Sequence, residues 1–352
     1  MVITILVFAV ILIVLILTHE IGHFAAAKLC KVKVEEFGIG FPPRLFSFKK
    51  GETIYSINAI PIGGFTKLLG EEDPSMPGSL ASKSIAARTF VLSAGSLLNI
   101  LLPILLFTAS FMIPHDIAIE KVLIKEVANG SLAQMAGIEA GDQILKVNDR
   151  SIRNRAELSY NIQLNLGQEI SMVIQKPDFT KKTVVIRPRW NPPEGQGATG
   201  VVLTSADATI AKESIPLWQA LPQGFIHCSE ILILFRNEVV SWFIKSTAPQ
   251  LAGPIAIAQL TGQVVQAGVS PVLEFAALIS INLGIFNLFP FPGLDGGRLI
   301  FVFLEWIRRG KRISPQKEGL VHMIGFFALI ALILIISYFD ISRLIRGESL
   351  LP

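Results

Sequence analysis

The sequence predicts a multi-pass α-helical membrane protein with about four spans. A membrane-associated β-hairpin region lies on its cytoplasmic side, and one extracytoplasmic α+β domain lies outside. Three observations carry that expectation. Of 352 residues, 51% are hydrophobic and 16% charged, against roughly 25% charged in an average soluble domain. The apolar residues are concentrated, with no Asp, Glu, Lys or Arg in 1–19, 89–115, 275–294 or 319–339. About 20 apolar residues cross a bilayer core of about 30 Å as a helix. The basic residues are segregated as well: Lys28, Lys31, Lys33, Arg44, Lys49, Lys50, Lys67, Lys83 and Arg88 follow the first apolar stretch, and Arg298, Arg308, Arg309, Lys311, Arg312 and Lys317 precede the last. Positive-inside bias puts both loops in the cytoplasm and both termini outside the cell membrane. Net charge +4 then reads as topology, with no nucleic acid among the partners, and the composition excludes disordered, collagenous and ordinary soluble classes.

In chain order, 1–29 is the first span, retained because no basic segment precedes it and polar residues interrupt its end. Residues 30–88 hold the hairpin region and a Pro-, Ser- and Gly-rich loop, with alternating strands at Val32–Glu35 and Thr53–Ala59. The second span is 89–113, where Ser93, Ala94, Gly95 and Ser96 suit close helix packing. Residues 117–205 contain strands at Ile119–Val127, Glu169–Ile174 and Lys182–Arg187 and helices at Ser131–Met135 and Arg155–Leu166, an α+β domain. Residues 213–272 begin with amphipathic helices that Trp218, Phe225, Trp242 and Phe243 could anchor in lipid. From 247 the stretch is uncharged and rich in Gly, Pro and Gln, and reads as a loop or helix leaning on the bundle. A third span with its cytoplasmic loop occupies 273–318, and the fourth with the tail 319–352. Cys30 and Cys228 fall on opposite sides of the membrane and cannot pair.

The chemistry concentrates in His19-Glu20-x-x-His23. Positions i and i+4 share a helix face, so both imidazoles can reach one Zn²⁺, and the intervening Glu20 can take a proton from water beside it. Ionisable residues closing an apolar span are expensive unless partnered. A catalytic zinc needs a third protein ligand, and Asp295 is the first carboxylate after about 20 uncharged residues. It falls at the same depth as His23. A capping role for a helix at 296–304 competes, but with two histidines waiting, ligation is favoured. Asn287 fits an interhelical hydrogen bond or a grip on a substrate carbonyl equally well. Asn99 is read as an interhelical hydrogen-bonding residue, His115 as an interface residue, and His227 and His322 find no partner.

Together with Asn287-x-x-Pro290 and Leu294-Asp295-Gly296, the motif closely resembles the site-2 protease family of intramembrane zinc metalloproteases. Gly38-Ile39-Gly40-Phe41, Pro61-Ile62-Gly63-Gly64-Phe65, Ala94-Gly95-x-x-x-Asn99 and Gly253-Pro254-Ile255-Ala256-Ile257 extend the match in order along nearly the whole chain. The resemblance implies zinc on His19, His23 and Asp295, Glu20 as general base, and Asn287 and Pro290 positioning substrate. It implies regulated intramembrane proteolysis of single-span membrane proteins, such as anti-sigma factors or remnant signal peptides, near the cytoplasmic side. The run from Gly130 to Asn148 resembles a bacterial PDZ domain, which implies either a peptide ligand added to a sheet edge or a steric cover. Because a helix must unwind before hydrolysis, the substrate is expected to pair as a strand with 53–59 or the neighbouring hairpin. A catalytically silent PDZ-bearing scaffold and a metal transporter are the rival readings. The intact motif argues against the first, and the lack of a second intramembrane polar cluster argues against the other.

Overall fold

The computed structural model describes residues 2–71, 73–245 and 253–346, with the backbone alone at 61–62. The chain forms two compact units, Met1–Ser110 with Gln250–Pro352, and Phe111–Pro249. Among the described residues, four helices are long and apolar enough to cross a membrane: α1 (Val2–Leu29), α2 (Ile85–Met112), α7 (Val269–Leu288) and α9 (Pro315–Ile345). The chain is thus a multi-pass membrane protein. Residues 246–252 of the uncharged stretch, 347–352 of the tail and Glu72 of the first loop lie outside the described residues.

In the first unit, β1 (Val34–Lys50) and β2 (Thr53–Leu68) form one folded antiparallel ribbon. Its register places segment 34–39 between 53–57 on one side and 64–68 on the other, while 44–50 pairs with the far side of 53–58. The order across the ribbon is therefore 44–50, 53–58, 34–39, 64–68. Of the two places expected to receive a substrate strand, 53–59 or the neighbouring hairpin, segment 53–58 is already paired on both sides, while 44–50 and 64–68 lie at the edges. Alternation showed that strands exist here, but the bends that fold each strand back on the other are long-range choices.

The helix α7 begins four residues before the expected third span and takes in Glu274. Ser110 Oγ donates to that carboxylate at 2.7 Å and lies 2.8 Å from Ser270 Oγ, which supplies the polar company an acid on an apolar helix requires. Helix α6 (Pro254–Ala267) starts where a loop or helix was open, and Asp340 of α9 accepts from its Ala256 N–H at 3.2 Å. A carboxylate at that helix start satisfies an orphan donor and complements the dipole. Helix α8 (Asp295–Ile307) is anchored by a buried ion pair, Glu305 Oε2 to Arg88 Nη2 at 2.6 Å, and Arg312 Nε adds a second contact to Glu305 at 3.1 Å. Removing one partner of such a pair costs about 3–5 kcal/mol, because the survivor is left buried and charged.

The second unit has a six-stranded sheet. In chain order it contains β3 (His115–Val127), α3 (Leu132–Met135), β4 (Gln143–Val147), β5 (Arg150–Ser151), α4 (Arg155–Leu164), β6 (Ile170–Gln175), β7 (Lys181–Ile186), β8 (Val201–Glu213) and α5 (Leu217–Lys245). The path across the sheet is β7-β6-β4-β3-β8, with β5 paired to β4. Alternating residues of β3, β4, β6 and β7 bury Val122, Ile124, Ile144, Val147, Ile170, Met172, Ile174 and Val184 in one core with Leu158 of α4. β8 runs past the expected domain end at 205 because it pairs with β3 from Val127↔Val201 to His115↔Glu213, a contact invisible to local pattern.

The expected helices beyond 213 are one helix, α5, docked by polar groups. Asn237 Nδ2 donates to the Gln163 carbonyl at 2.8 Å. Glu230 receives Tyr160 OH at 2.9 Å and an ion pair from Arg150, with His227 Nδ1 3.7 Å away. Tyr160 OH also lies 3.2 Å from His227 Nδ1, so this histidine does have partners. Burial alone would push the Glu230 carboxyl up, but hydrogen bonds from His227, Arg150 and Tyr160 prevail and hold it at about 2 against an ordinary 4.5. Because the folded value is depressed, the stabilisation is present above the ordinary value and is lost as pH falls towards 2. The protection of α5 amides against hydrogen exchange, taken relative to the intrinsic rate at each pH, should therefore fall between pH 4.5 and 2. In Glu230→Gln that acid step should disappear. An unchanged acid profile in the variant would show that another group holds the helix.

Candidate metal centre

The site begins with an approach of α1 to α2 so close that neither helix can carry a side chain at the contact. A Cβ on Gly22 would lie 2.5 Å from the Ala94 carbonyl oxygen. One on Gly95 would lie 2.5 Å from His23 Nε2 and 2.9 Å from His19 Cε1. The two imidazoles of α1 thus lie directly on the backbone of α2, buried at 8% and 9% exposure. Their proximity to carbonyls and amides of α2 sets their tautomers.

His23 Nδ1 lies 2.8 Å from the Val91 carbonyl oxygen. Only a protonated nitrogen bonds a carbonyl, so Nδ1 carries the hydrogen and Nε2 of the neutral ring keeps its lone pair. His19 Nδ1 lies 3.4 Å from Asn99 Nδ2, while Asn99 Oδ1 is buried with no partner among the described residues. Amide oxygen and nitrogen are assigned from the network around them. Exchanging them pairs Oδ1 with a His19 Nδ1–H, satisfies the orphan, and leaves His19 Nε2 free as well. Asn99 is fixed in turn by Ser280 Oγ, which donates to its carbonyl at 2.7 Å.

Asp295, the first residue of α8, completes the group. Its Oδ2 lies 3.1 Å from His19 Nε2 and 3.2 Å from His23 Nε2, and the two nitrogens are 3.1 Å apart. Three lone-pair donors this close repel unless a cation lies among them. A tetrahedron with metal–ligand bonds of about 2.0–2.1 Å has edges of about 3.3 Å, so the donors have the spacing and the chemistry of a zinc site with one corner open. An anionic oxygen is what a zinc ligand must present.

These donors border a cleft of about 360 Å³ that Glu20 also lines. Residues 65–68 of the ribbon's edge segment form another wall, with Thr66 Oγ1 donating to the Glu20 carbonyl at 3.1 Å. The sequence-derived set is therefore brought together at His19, Glu20, His23 and Asp295. Asn287 lies half-buried one residue before the end of α7, and Pro290 is exposed in the following turn. Neither lines the cleft. The interhelical contact expected of Asn99 falls on His19, a partner that the sequence did not name. The signal was present, since a lone amide in an apolar span needs a partner, but the spacing of α2 against α1 was not legible.

A model of the family described as Peptidase family M50 matches residues 7–332. The chain is 36% identical over 333 residues to a protein of Clostridium acetobutylicum whose name assigns it provisionally to the zinc metalloproteases, covering 93% of this chain and 94% of the relative. It is 30% identical over 423 residues to zinc metalloprotease RasP of Oceanobacillus iheyensis, covering 94% of this chain and 97% of that protein. It is 26% identical over 411 residues to RasP of Geobacillus kaustophilus, covering 94% and 95%.

Outer-shell partners of a metal-bound histidine commonly contribute about 10–100-fold in metal affinity. Asn99→Ala should therefore weaken zinc binding by about that factor in a chelator competition, whereas His19→Ala should abolish stoichiometric zinc. Equal affinity in Asn99→Ala and the parent protein would remove Asn99 from the site.

Proposed function

This chain belongs to peptidase family M50, the site-2 protease family, and is a membrane-embedded zinc metalloprotease; from that premise we propose that it cleaves the transmembrane segments of single-span membrane proteins at the His19–His23–Asp295 centre. The observation that carries this reading is the convergence of the three donors within 3.2 Å, in a cleft that Glu20 shares. Zinc bound there supplies Lewis acidity to the scissile carbonyl and to the attacking water. Glu20 takes the proton from that water and passes it to the leaving amine. It is the one acidic side chain between the two histidines, and it is tied in place through its backbone by Thr66.

A helix cannot be cut while its carbonyls are held by i→i−4 bonds, so the substrate must enter extended. The strand that accepts it is the 64–68 edge: 53–58 is paired on both sides, and of the two edges, 44–50 and 64–68, it is 64–68 that lines the cleft. Main-chain pairing along that edge lays the substrate across the cleft, and the cleft walls select its side chains. Asn287 and Pro290 then act from outside the cleft, on the substrate's approach or through the turn that precedes Asp295.

The basic loops place the centre near the cytoplasmic face and both termini outside. The α+β unit is a PDZ-like domain on the outer side, admitting substrates already shortened by another protease or binding their new ends. That order of events is regulated intramembrane proteolysis, with anti-sigma factors or remnant signal peptides as the substrate class.

Cleavage of a single-span substrate by purified protein in lipid, parent against Glu20→Gln, tests the reading. Losing a general base typically costs about 10²–10⁴-fold in rate, so the variant should lose cleavage by that factor while keeping one zinc per chain. Retained cleavage would remove Glu20 from the chemistry, and retained phenotype without cleavage in either protein would favour a scaffold.

A further inference from the structure

Asp295 emerges from a turn, residues 289–294, that is gripped from two directions. On one side it closes against the start of its own helix. A Cβ on Gly296 would collide with the carbonyls of Leu288 and Phe289, and one on Gly297 with that of Phe291. On the other side it meets α9. Gly293 (φ +96°) has its Cα so near that helix that a Cβ would lie 2.9 Å from Phe326 N. A Cβ on Gly325 would run into the Pro292 carbonyl. One turn earlier on the same face of α9, His322 Nδ1 accepts the Gly293 N–H at 3.1 Å.

We propose that His322 is a positioning residue for the metal centre: by accepting the Gly293 N–H it ties the Asp295 turn to α9 and so holds the carboxylate against the two imidazoles. The inference rests on reading the triad as the zinc site. The turn has little of its own to hold it, with Phe291 N–H on the Phe289 carbonyl at 2.7 Å and Leu294 N–H on that of Phe291 at 3.2 Å. Without His322 the Gly293 N–H loses its acceptor on α9, and with it the hydrogen bond that joins the turn to that helix. The ring itself bears a cost that a packing side chain would avoid. With Nδ1 accepting, the proton is on Nε2, which is buried without a partner among the described residues. That cost makes sense if the acceptor is what the position requires. Within α9, Gly325 and Asp340 are the buried residues among those described, so this contact is one of the two places where the helix is seated. A functional constellation must be held to about 0.5 Å, and the turn's tie to α9 lies two residues from a ligand.

The test is zinc affinity of the full-length protein by competition with a chromophoric chelator, together with the absorption spectrum of the Co²⁺-substituted protein. His322→Ala should bind zinc about 10–100-fold more weakly, the range for supporting partners of a metal ligand. Its Co²⁺ bands should shift. His322→Asn, whose Oδ1 can take the place of Nδ1, should recover the parent affinity to within about threefold. Gly325→Ala, which pushes α9 off the Pro292 carbonyl, should reproduce the loss, and it decides the matter if His322→Ala does not fold. Parent-like affinity in both His322→Ala and Gly325→Ala, or equal losses in Ala and Asn at 322, would overturn the proposal while leaving the zinc site intact. A parent protein that binds no zinc at all would instead overturn the site reading on which it stands.

Discussion

Everything at the catalytic end of this protein depends on how closely α1 and α2 approach one another. Two glycines, Gly22 and Gly95, face a carbonyl and an imidazole at distances that no Cβ could occupy. Because the helices meet backbone to backbone there, His23 reaches the Val91 carbonyl and His19 reaches Asn99. A ring nitrogen against a carbonyl has one allowed protonation, so packing becomes tautomer choice, and tautomer choice turns the unprotonated nitrogens towards each other. The metal chemistry is thus a consequence of a steric contact one layer away from it.

The third member of the donor cluster comes from a different kind of structure. Asp295 sits at the start of a helix preceded by a turn with two prolines and a glycine, and irregular backbone at membrane depth persists only where protein surrounds it. Here the surroundings are identifiable. Glu305 anchors α8 to Arg88 of α2, Gly296 and Gly297 let the turn fold onto its own helix, and α9 covers the outer side. Several polar groups in this unit find partners on other helices, as with Ser110 and Glu274 or Asp340 and the start of α6. In a low-dielectric setting, each such pair fixes a register that apolar packing alone leaves loose.

The folded ribbon of β1 and β2 gives the centre an open edge. Of the ribbon's two edges, 44–50 and 64–68, it is 64–68 that borders the cleft with His19, His23, Asp295 and Glu20. A free edge offers an extended chain partners for backbone groups that would otherwise go unsatisfied. The second unit solves a different problem by similar means. Its long helix is fastened through Glu230 and Asn237 on the buried face, while Trp218, Phe225 and Phe243 remain exposed.

By itself the sequence determined the four apolar spans, and it singled out the His19, His23 and Asp295 side chains that the structure brings together. Those properties are local: twenty apolar residues span a bilayer wherever they pack, and i, i+4 histidines share a face on any helix. It also made Asp295 conspicuous as the first acid after a long uncharged run. The tertiary structure alone decided which strand edge is free, where β8 ends, that α5 is a single docked helix, and that Asn99, His227 and His322 have partners. Each of those depends on contacts between residues dozens to hundreds of positions apart, and neither periodicity nor composition carries information about which distant neighbour a side chain or a strand will meet.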